Sequence, residues 1–440
     1  MVWIDEKREI YTEEEPSNRK KAAKIFTLEE QSEVFNEIQP IFYDKSGMFW
    51  LWEDNEKKWE IVDDVDILNM IHQSTGKDVI SSKTRTEILN ALKQMGRLNI
   101  PLPIKNTWIQ FKDTIYDLES GENFKSTPKY FVTNPIPFKI SNDPQTPIID
   151  NIFEQWVGKD YVVTLKEIIA YCMLPNYPVH RIFCLVGSGL NGKGSFLNLI
   201  ERFIGKGNIC STELDTLLSS RFEVTRLFKK LVCVMGETNF SELSKTSMLK
   251  KLSGGDMIGF EYKNKTPFED KNYAKIIIAT NNLPSTTDKT IGFYRRWCII
   301  DFPNQFDEKK DILKDIPEEE YENLATTCFI KLSEIIKKRE FTNEGTIEER
   351  KERYEAKSNF LERFIELFVV DGANGFITKS DFSKKFKSWC KENRHREMSD
   401  TSIGLKMKKM HYESSTKHFE WMFDGKGGNA RIWEGIKWKE

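Results

Sequence analysis

The stretch Phe183-Cys184-Leu185-Val186-Gly187-Ser188-Gly189-Leu190-Asn191-Gly192-Lys193-Gly194-Ser195-Phe196-Leu197-Asn198-Leu199-Ile200 decides how the rest of the chain is read. A short apolar run, of the length of a buried strand, enters a glycine-rich turn and leaves into an amphipathic helix. In such a turn the glycines let successive backbone N–H groups face the oxygens of a polyphosphate. The helix that follows points its positive N-terminal end at the same charge, and Lys193 is long enough to reach the terminal phosphates. The spacing predicts a phosphate-binding loop over Gly187–Ser195 rather than a tight turn that binds nothing. One position departs from the usual GxxxxGK(S/T) pattern. Gly194 stands where a hydroxyl would ligate Mg2+, and Ser195 follows it. Either Ser195 takes over that ligand or water completes the metal shell.

Downstream runs supply candidates for chemistry on the bound nucleotide. Leu231-Val232-Cys233-Val234-Met235 reads as a second buried strand, ending in Gly236-Glu237-Thr238-Asn239. An acid at a strand's carboxyl end can hold Mg2+ through water or orient the attacking water. Glu237 is that acid, and Gly236 occupies the place of a preceding aspartate. A third run, Ala274–Thr280, ends at Asn281-Asn282-Leu283-Pro284, where the Asn281 amide can sense a γ-phosphate. Gly292-Phe293-Tyr294-Arg295-Arg296-Trp297 precedes a further strand, Cys298–Phe302. Arg295 and Arg296 are candidates for stabilising transition-state charge across a subunit boundary, or they form a structural ion pair.

Composition sets the outer bounds. A chain of 440 residues, 39% hydrophobic and 30% charged, is long enough for two or three ordinary globular domains. Its formal net charge of −2 means that any nucleic-acid footprint must be local. The 7 cysteines are scattered with no CxxC, which argues for reduced, buried thiols and against a zinc site or a disulfide framework. The first residues lack a signal-peptide core, and no apolar run reaches membrane-spanning length. An intracellular protein without a membrane partner is expected. The charge-rich Glu13–Lys24 reads as a solvated helix end or mobile arm.

Residues 1–147 read as a mixed α+β unit. Ile41–Glu53 forms a hairpin around Lys45-Ser46-Gly47, Val65–Gln73 has helical periodicity, and Ile109–Asp113 pairs with Thr114–Leu118. Trp50, Trp52, Trp59 and Trp108 are of the type that stacks on bases, but core or edge-strand packing is the commoner use. Residues 148–305 form the ATPase core with leading helices Ile148–Val157 and Tyr161–Met173. Residues 306–370 form a helical cap and linker with pieces at Asp311–Leu313, Tyr321–Lys338 and Thr346–Val370. In 371–440, helix Asp381–Asn393 is followed by helix Thr401–Met410, capped by Ser399-Asp400. Strand-like runs Glu420–Phe423 and Ala430–Trp438 then flank Gly425-Lys426-Gly427-Gly428. That order is a winged-helix arrangement, and the region is net positive. Lys406, Lys408, Lys409, Lys417 and Lys426 can meet a DNA backbone, or the unit only docks on a neighbour.

Taken in order, the motifs GSGLNGKGSF (Gly187–Phe196), KLVCVMGETN (Lys230–Asn239), LSGGD (Leu252–Asp256) with Lys263, IIATNNLP (Ile277–Pro284), GFYRRW (Gly292–Trp297) and IIDFP (Ile299–Pro303) resemble the superfamily 3 helicases. The resemblance is to their phage/plasmid primase–helicase branch, which includes the poxvirus primase-helicase. It implies an α/β fold: a P-loop, AAA+-like core that assembles as a ring, usually a hexamer. ATP and Mg2+ would sit between subunits, with Lys193, Glu237 and Asn281 from one and an arginine from its neighbour, Arg296 before Arg295. The segment Phe260–Thr266 would be a channel hairpin that tracks single-stranded DNA with Lys263, Lys265 and Tyr262, or a solvated tip. Movement 3′ to 5′ is expected from the resemblance alone.

The expected protein is thus an ATP-driven DNA helicase in replication of a phage, plasmid or genomic island, working in a bacterial host's cytoplasm on single-stranded and forked DNA. No primase region is legible before the core, so either priming falls to a separate primase or the original polypeptide is longer, with an origin-loading factor as a further expected partner. The rival from another class is an ATP-binding initiator that works at an origin without processive unwinding. A packaging or partition motor is a weaker rival.

Overall fold

The computed structural model describes residues 39–75, 81–236, 242–243, 245–263, 265–306, 312–358, 360–392, 397–419 and 428–439. Near the N-terminus, strands β1 (Ile41–Tyr43), β2 (Phe49–Glu53) and β3 (Lys58–Val62) form an antiparallel sheet, with the expected hairpin pairing Tyr43 to Phe49. Helices Asp64–Thr75 and Ser82–Leu98 follow. Strands β4 (Trp108–Phe111), β5 (Thr114–Asp117) and β6 (Asn123–Lys125) make a second antiparallel sheet, turning between β4 and β5 at Lys112, whose φ is +48°. Trp50, Trp52 and Trp59 are buried in the core rather than offered to bases. They share one apolar cluster with strands of the central sheet, so the N-terminal unit is packed onto the core rather than tethered to it.

That central sheet is built from the apolar runs. Its strands are β7 (Ile182–Val186), β8 (Ile209–Ser211) and β9 (Val232–Met235), reached through helix Lys193–Ile204 and short turns. A short β10 (Glu242–Leu243), helix Thr246–Leu252 and the hairpin β11 (Met257–Phe260)–β12 (Phe268–Lys271) intervene. Then come β13 (Lys275–Thr280), a short β14 (Ser285–Thr286) and β15 (Trp297–Asp301). The order across the sheet is β15-β7-β13-β9-β8, and every neighbouring pair is parallel. Parallel strands are covered on both faces, which is why these sequences run apolar without alternation. All residues of β7 and β13 are buried.

One face is covered by helices Pro147–Val157, Val162–Cys172, Lys193–Ile204 and Glu318–Lys338, which share a cluster with Phe183 and Leu185. Helix Ile347–Ser358 lies against β15 and ties it down through Lys357 Nζ to Asp301 Oδ1 (2.5 Å) and Arg353 Nη1 to the Ile299 carbonyl (3.1 Å). The helix expected over Thr346–Val370 is found over Ile347–Ser358 and Phe360–Phe368. Its second part, Phe360–Phe368, packs instead with the C-terminal cluster of Phe382, Phe386, Trp389 and Trp433.

In the C-terminal unit, β16 (Val369–Thr378) leads to helices Lys379–Glu392 and Asp400–Lys409, then β17 (Ser414–Phe419) and β18 (Gly428–Trp438). The three strands form one antiparallel sheet in the order β16-β18-β17. Ser399 accepts from the Ser402 amide at 3.2 Å, the cap expected for the second helix. The strand expected at 420–423 lies outside the described residues, and β17 occupies the polar segment just before it.

Candidate nucleotide and nucleic-acid site

The loop after β7 is shaped by contacts that glycine alone permits. Gly189 and Gly192 have φ of +97° and +90°. At Gly192 a Cβ would come within 2.5 Å of the Trp156 ring, and at Gly187 it would come within 2.6 Å of the Phe302 carbonyl oxygen. Leu190 at φ +47° carries the turn outward, with its carbonyl accepting from Phe306 N–H at 2.7 Å. Lys193 begins the helix with its side chain almost fully buried. Its Nζ donates to the Gly187 carbonyl (2.7 Å) and to Asn191 Oδ1 (2.9 Å). Asn191 in turn donates through Nδ2 to the Phe302 carbonyl at 3.1 Å. The ammonium is thus held at the centre of the loop, above a helix N-terminus that attracts anions. Asn191 is a positioning residue whose part the motif does not disclose. The signal that could have found it is a short polar side chain two positions before the lysine.

The sheet places this loop where open α/β folds take ligands. The chain leaving β7 crosses the sheet toward β8, while the chain leaving β13 crosses the other way to β15. The carboxyl ends of these two adjacent strands therefore form a topological switch point. Gly187 N–H donates to the Thr280 carbonyl at 3.2 Å, which brings Asn281, half-buried, directly beside the loop. Ser188 is linked to Gln305 (Nε2 to Oγ, 3.3 Å). Glu237, expected after β9, lies outside the described residues.

Mg2+ binds hard oxygens and keeps several waters when it also holds phosphates. Ser195, half-buried in the first turn of the helix, supplies one such oxygen close to Lys193. At Gly194 a Cβ would meet nothing within 4 Å, so the loop accommodates a side chain there. Among the described residues no group of three His, Cys, Asp or Glu side chains gathers to hold a metal unaided. The donors fit a cation carried mainly by phosphate and water.

The two arginines are placed differently from one another. Arg296 is 8% exposed and committed to its own chain. Its guanidinium donates to Ser253 Oγ (3.1 Å), to the Lys250 carbonyl (3.3 Å) and to the Gly292 carbonyl. Arg295 is half-buried, its Nη2 3.3 Å from His180 Nδ1. Burial, with the positive charge of both arginines added, holds His180 below its ordinary range. Both arginines stand at the amino end of β15, where Trp297 pairs with Ile182, whereas the loop follows Val186 at the other end. At about 3.3 Å per residue, roughly 15 Å of strand separates them, too far for a reach within one chain.

The β11–β12 hairpin sits between the third and fourth core strands in chain order. Lys263 and Lys265 are exposed at its tip. Tyr262 is not offered in the same way: its ring stacks on Phe268 (17° between planes, 6.3 Å) and meets Phe228 edge-on, and burial raises its hydroxyl to about 12. In the C-terminal unit Lys409 is exposed, whereas Lys406 is half-buried with Nζ 5.7 Å from the Phe360 ring. Burial lowers the Lys406 ammonium below its ordinary range. Lys406 thus faces its own domain, because it shares the helix side of Ile403 and Met407. Lys426 lies outside the described residues.

Two family matches cover much of the chain. Residues 32–159 match the family described as D5 N terminal like, and residues 185–296, from β7 through Arg296, match a family of unknown function, DUF5906. A protein of Acanthamoeba polyphaga mimivirus, L207/L206, provisionally named a helicase, is 24% identical over 228 residues, covering 49% of this chain and 23% of that protein. The chain thus spans about a quarter of the length of this curated relative. Among solved structures, an apo structure of the NrS-1 C-terminal region is 14% identical, with a TM-score of 0.49, and covers 92% of this chain and 98% of that one. A second apo form of that region has a TM-score of 0.46 at the same identity. The chain is similar to a viral protein named as a helicase, and its N-terminal part carries a D5 N-terminal-like region. No described helix is long and apolar enough to cross a membrane.

Proposed function

We propose that this chain is an ATP-driven, ring-forming DNA helicase of the superfamily 3 primase–helicase type, with a P-loop AAA+-like core and a C-terminal winged helix. The observation that carries the proposal is Lys193, held at the centre of a glycine-rich loop at the switch point of an all-parallel sheet, with Asn281 adjoining it. The similarity to a helicase-named viral protein supports it.

In this reading the loop's N–H groups and the helix end bind the triphosphate, and Lys193 exchanges the Gly187 carbonyl and Asn191 amide oxygens for phosphate oxygens. Asn281 orients the attacking water at the γ-phosphate, and Glu237 accepts its proton. Mg2+, when bound, would neutralise phosphate charge, and Ser195 and Glu237 would hold it. The site is completed by a second copy. Arg295, rather than Arg296, is the residue that reaches the neighbour's phosphates, since Arg296 already holds Ser253 and two carbonyls of its own chain.

Movement follows from the loop after Asn281. Leu283 N–H donates to the Lys357 carbonyl (3.3 Å) and Tyr354 Oη donates to the Pro284 carbonyl (2.8 Å). A shift at the γ-phosphate is thereby passed to helix Ile347–Ser358 and on to the C-terminal unit. Lys263 and Lys265 hold the tracked strand by its phosphates. The test is phosphate release with Mg2+ and a single-stranded oligonucleotide, in the parent and in Lys193→Ala. DNA-stimulated release that disappears in the variant supports the proposal, and equal release from both would remove it. The initiator reading is favoured by Gly194 alone, and predicts ATP-dependent assembly without strand displacement.

A further inference from the structure

We infer that the cleft between the N-terminal unit and the central sheet is a second binding site for single-stranded nucleic acid, continuous with the hairpin. The inference rests on the proposed reading only for the identity of the ligand.

The cleft, of about 950 Å³, lies between the β2–β3 turn, the β4–β5 turn and the carboxyl end of helix Lys193–Ile204. Lys57, Lys58, Lys112, Lys139, Arg202 and Lys206 line it, against Glu56, Asp113 and Glu201. Some of this charge is already engaged. Lys58 pairs with Glu56 (2.5 Å), Lys57 with Asp54 (2.6 Å), and Arg202 lies over the Tyr321 ring at 4.4 Å. Asp113 is neutralised from outside the cleft by Lys125 at 2.5 Å. Lys112, Lys139 and Lys206 form no ion pair among the described residues, and Lys139 and Lys206 are exposed. Three cations from three different segments therefore converge on one concave surface, against Glu201 as the one lining carboxylate without an ion pair among the described residues. Such a surface concentrates a polyanion.

A second cleft of about 620 Å³ lies under the hairpin, lined by Phe222, Arg226, Lys230, Glu261, Tyr262 and Lys263, with Arg226 paired to Glu223 (3.3 Å) and Glu261 to Arg221 (3.2 Å). The walls of the two clefts touch. Lys230 lines the second and donates through Nζ to the carbonyl of Gly207, which lines the first (2.5 Å). A cationic track thus runs from Lys263 past Arg226 and Lys230 to Lys206, Lys112 and Lys139. Phe222, 48% exposed, adds an aromatic face beside the basic residues. A basic groove suits an unpaired strand, whose flexible backbone lets the phosphates follow the charges, with Phe222, under Arg221 at 4.9 Å, the one exposed aromatic along it. A duplex offers no free base faces.

The experiment measures binding of fluorescein-labelled oligo(dT) by anisotropy between 50 and 200 mM salt, using the full chain and the triple variant Lys112→Glu, Lys139→Glu, Lys206→Glu. Each phosphate contact on a single strand contributes about 0.7 to the salt slope, so losing three lowers it by about 2 and weakens binding at 50 mM by at least about tenfold. Lys139→Glu alone, at an exposed position, gives a smaller loss in the same direction and guards against a misfolded triple variant. Phosphate release without oligonucleotide should be unchanged, since none of the three touches the phosphate loop. Unaltered affinity and slope would overturn the inference. That result leaves the motor reading intact, whereas absent phosphate release from the parent would sink that reading and not this one.

Discussion

Gly192→Ala and Gly194→Ala, separated by one residue, should move stability in opposite directions. Gly192 has φ +90°, and a Cβ there would sit 2.5 Å from both Cδ1 and Nε1 of Trp156. Trp156 cannot yield easily: it is 2% exposed and packed on Phe153, Phe196 and Phe302. The left-handed backbone costs an alanine about 1–2 kcal/mol, and overpacking a filled site adds about 1–3 kcal/mol. The sum, about 2–5 kcal/mol, corresponds to a fall of roughly 5–20 °C in the transition of a core of this size. At Gly194 the backbone is helical and a Cβ meets nothing within 4 Å. Alanine there should stabilise by about 0.5 kcal/mol through the lost freedom of the unfolded chain. Thermal unfolding followed by circular dichroism reads both, and titration with a fluorescent ATP analogue reads the loop. Gly192→Ala should also lose nucleotide affinity, whereas Gly194→Ala should keep it. Equal stability of Gly192→Ala and the parent would refute the loop conformation described here.

Arg296→Ala should destabilise by about 2–4 kcal/mol through loss of its charged hydrogen bonds, while Arg295→Ala should leave the melting transition in place and stop hydrolysis. A mixture of Arg295→Ala and Lys193→Ala proteins should regain activity, because one interface in the mixed assembly has both groups intact. If the mixture stays inactive, the shared-site account is wrong. Glu344→Ala should cost about 3–5 kcal/mol in thermal or denaturant unfolding, since it leaves Arg181 (2.6 Å) and Arg350 (2.8 Å) buried without their carboxylate. Lys275, fully buried between Tyr171 and Tyr177 with its Nζ donating to the Leu174 carbonyl, is pushed down by burial to about 7. Above that pH the unfolded chain binds a proton that the fold does not, so stability should rise by up to about 1.4 kcal/mol per pH unit from about pH 7 toward the ordinary lysine range. Denaturant midpoints at pH 7 and 9 should show this rise in the parent and not in Lys275→Met.

What could be read in the residues depended on how local the cause was. The glycine-rich turn and the strands around it are legible because glycines and apolar runs act within a few positions, and β7, β9 and β13 lie where those runs stand. Asn191 is legible as part of the loop but not as the side chain that positions Lys193, because that part depends on the Phe302 carbonyl, more than a hundred residues away. Arg295 and Arg296 are chemically identical in a motif, and only burial against Ser253 and the Lys250 carbonyl separates them. Lys406 looks like a surface cation by composition, yet the positions of Ile403 and Met407 turn it toward Phe360. Strand β17, Ser-Ser-Thr-Lys-His-Phe, has too little apolar character to announce itself, and pairing with β18 decides it. Helix Phe360–Phe368 reads as linker in the sequence because its partners Phe382 and Trp389 come later in the chain.

The most direct measurement is strand displacement on a forked duplex with a 3′ single-stranded tail, by the assembled protein with ATP and Mg2+, beside Lys193→Ala. The parent should release the labelled strand only while ATP is consumed, and the variant should assemble without releasing it. Release by the variant, or ATP consumption by the parent with the fork left intact, would contradict a motor driven from Lys193.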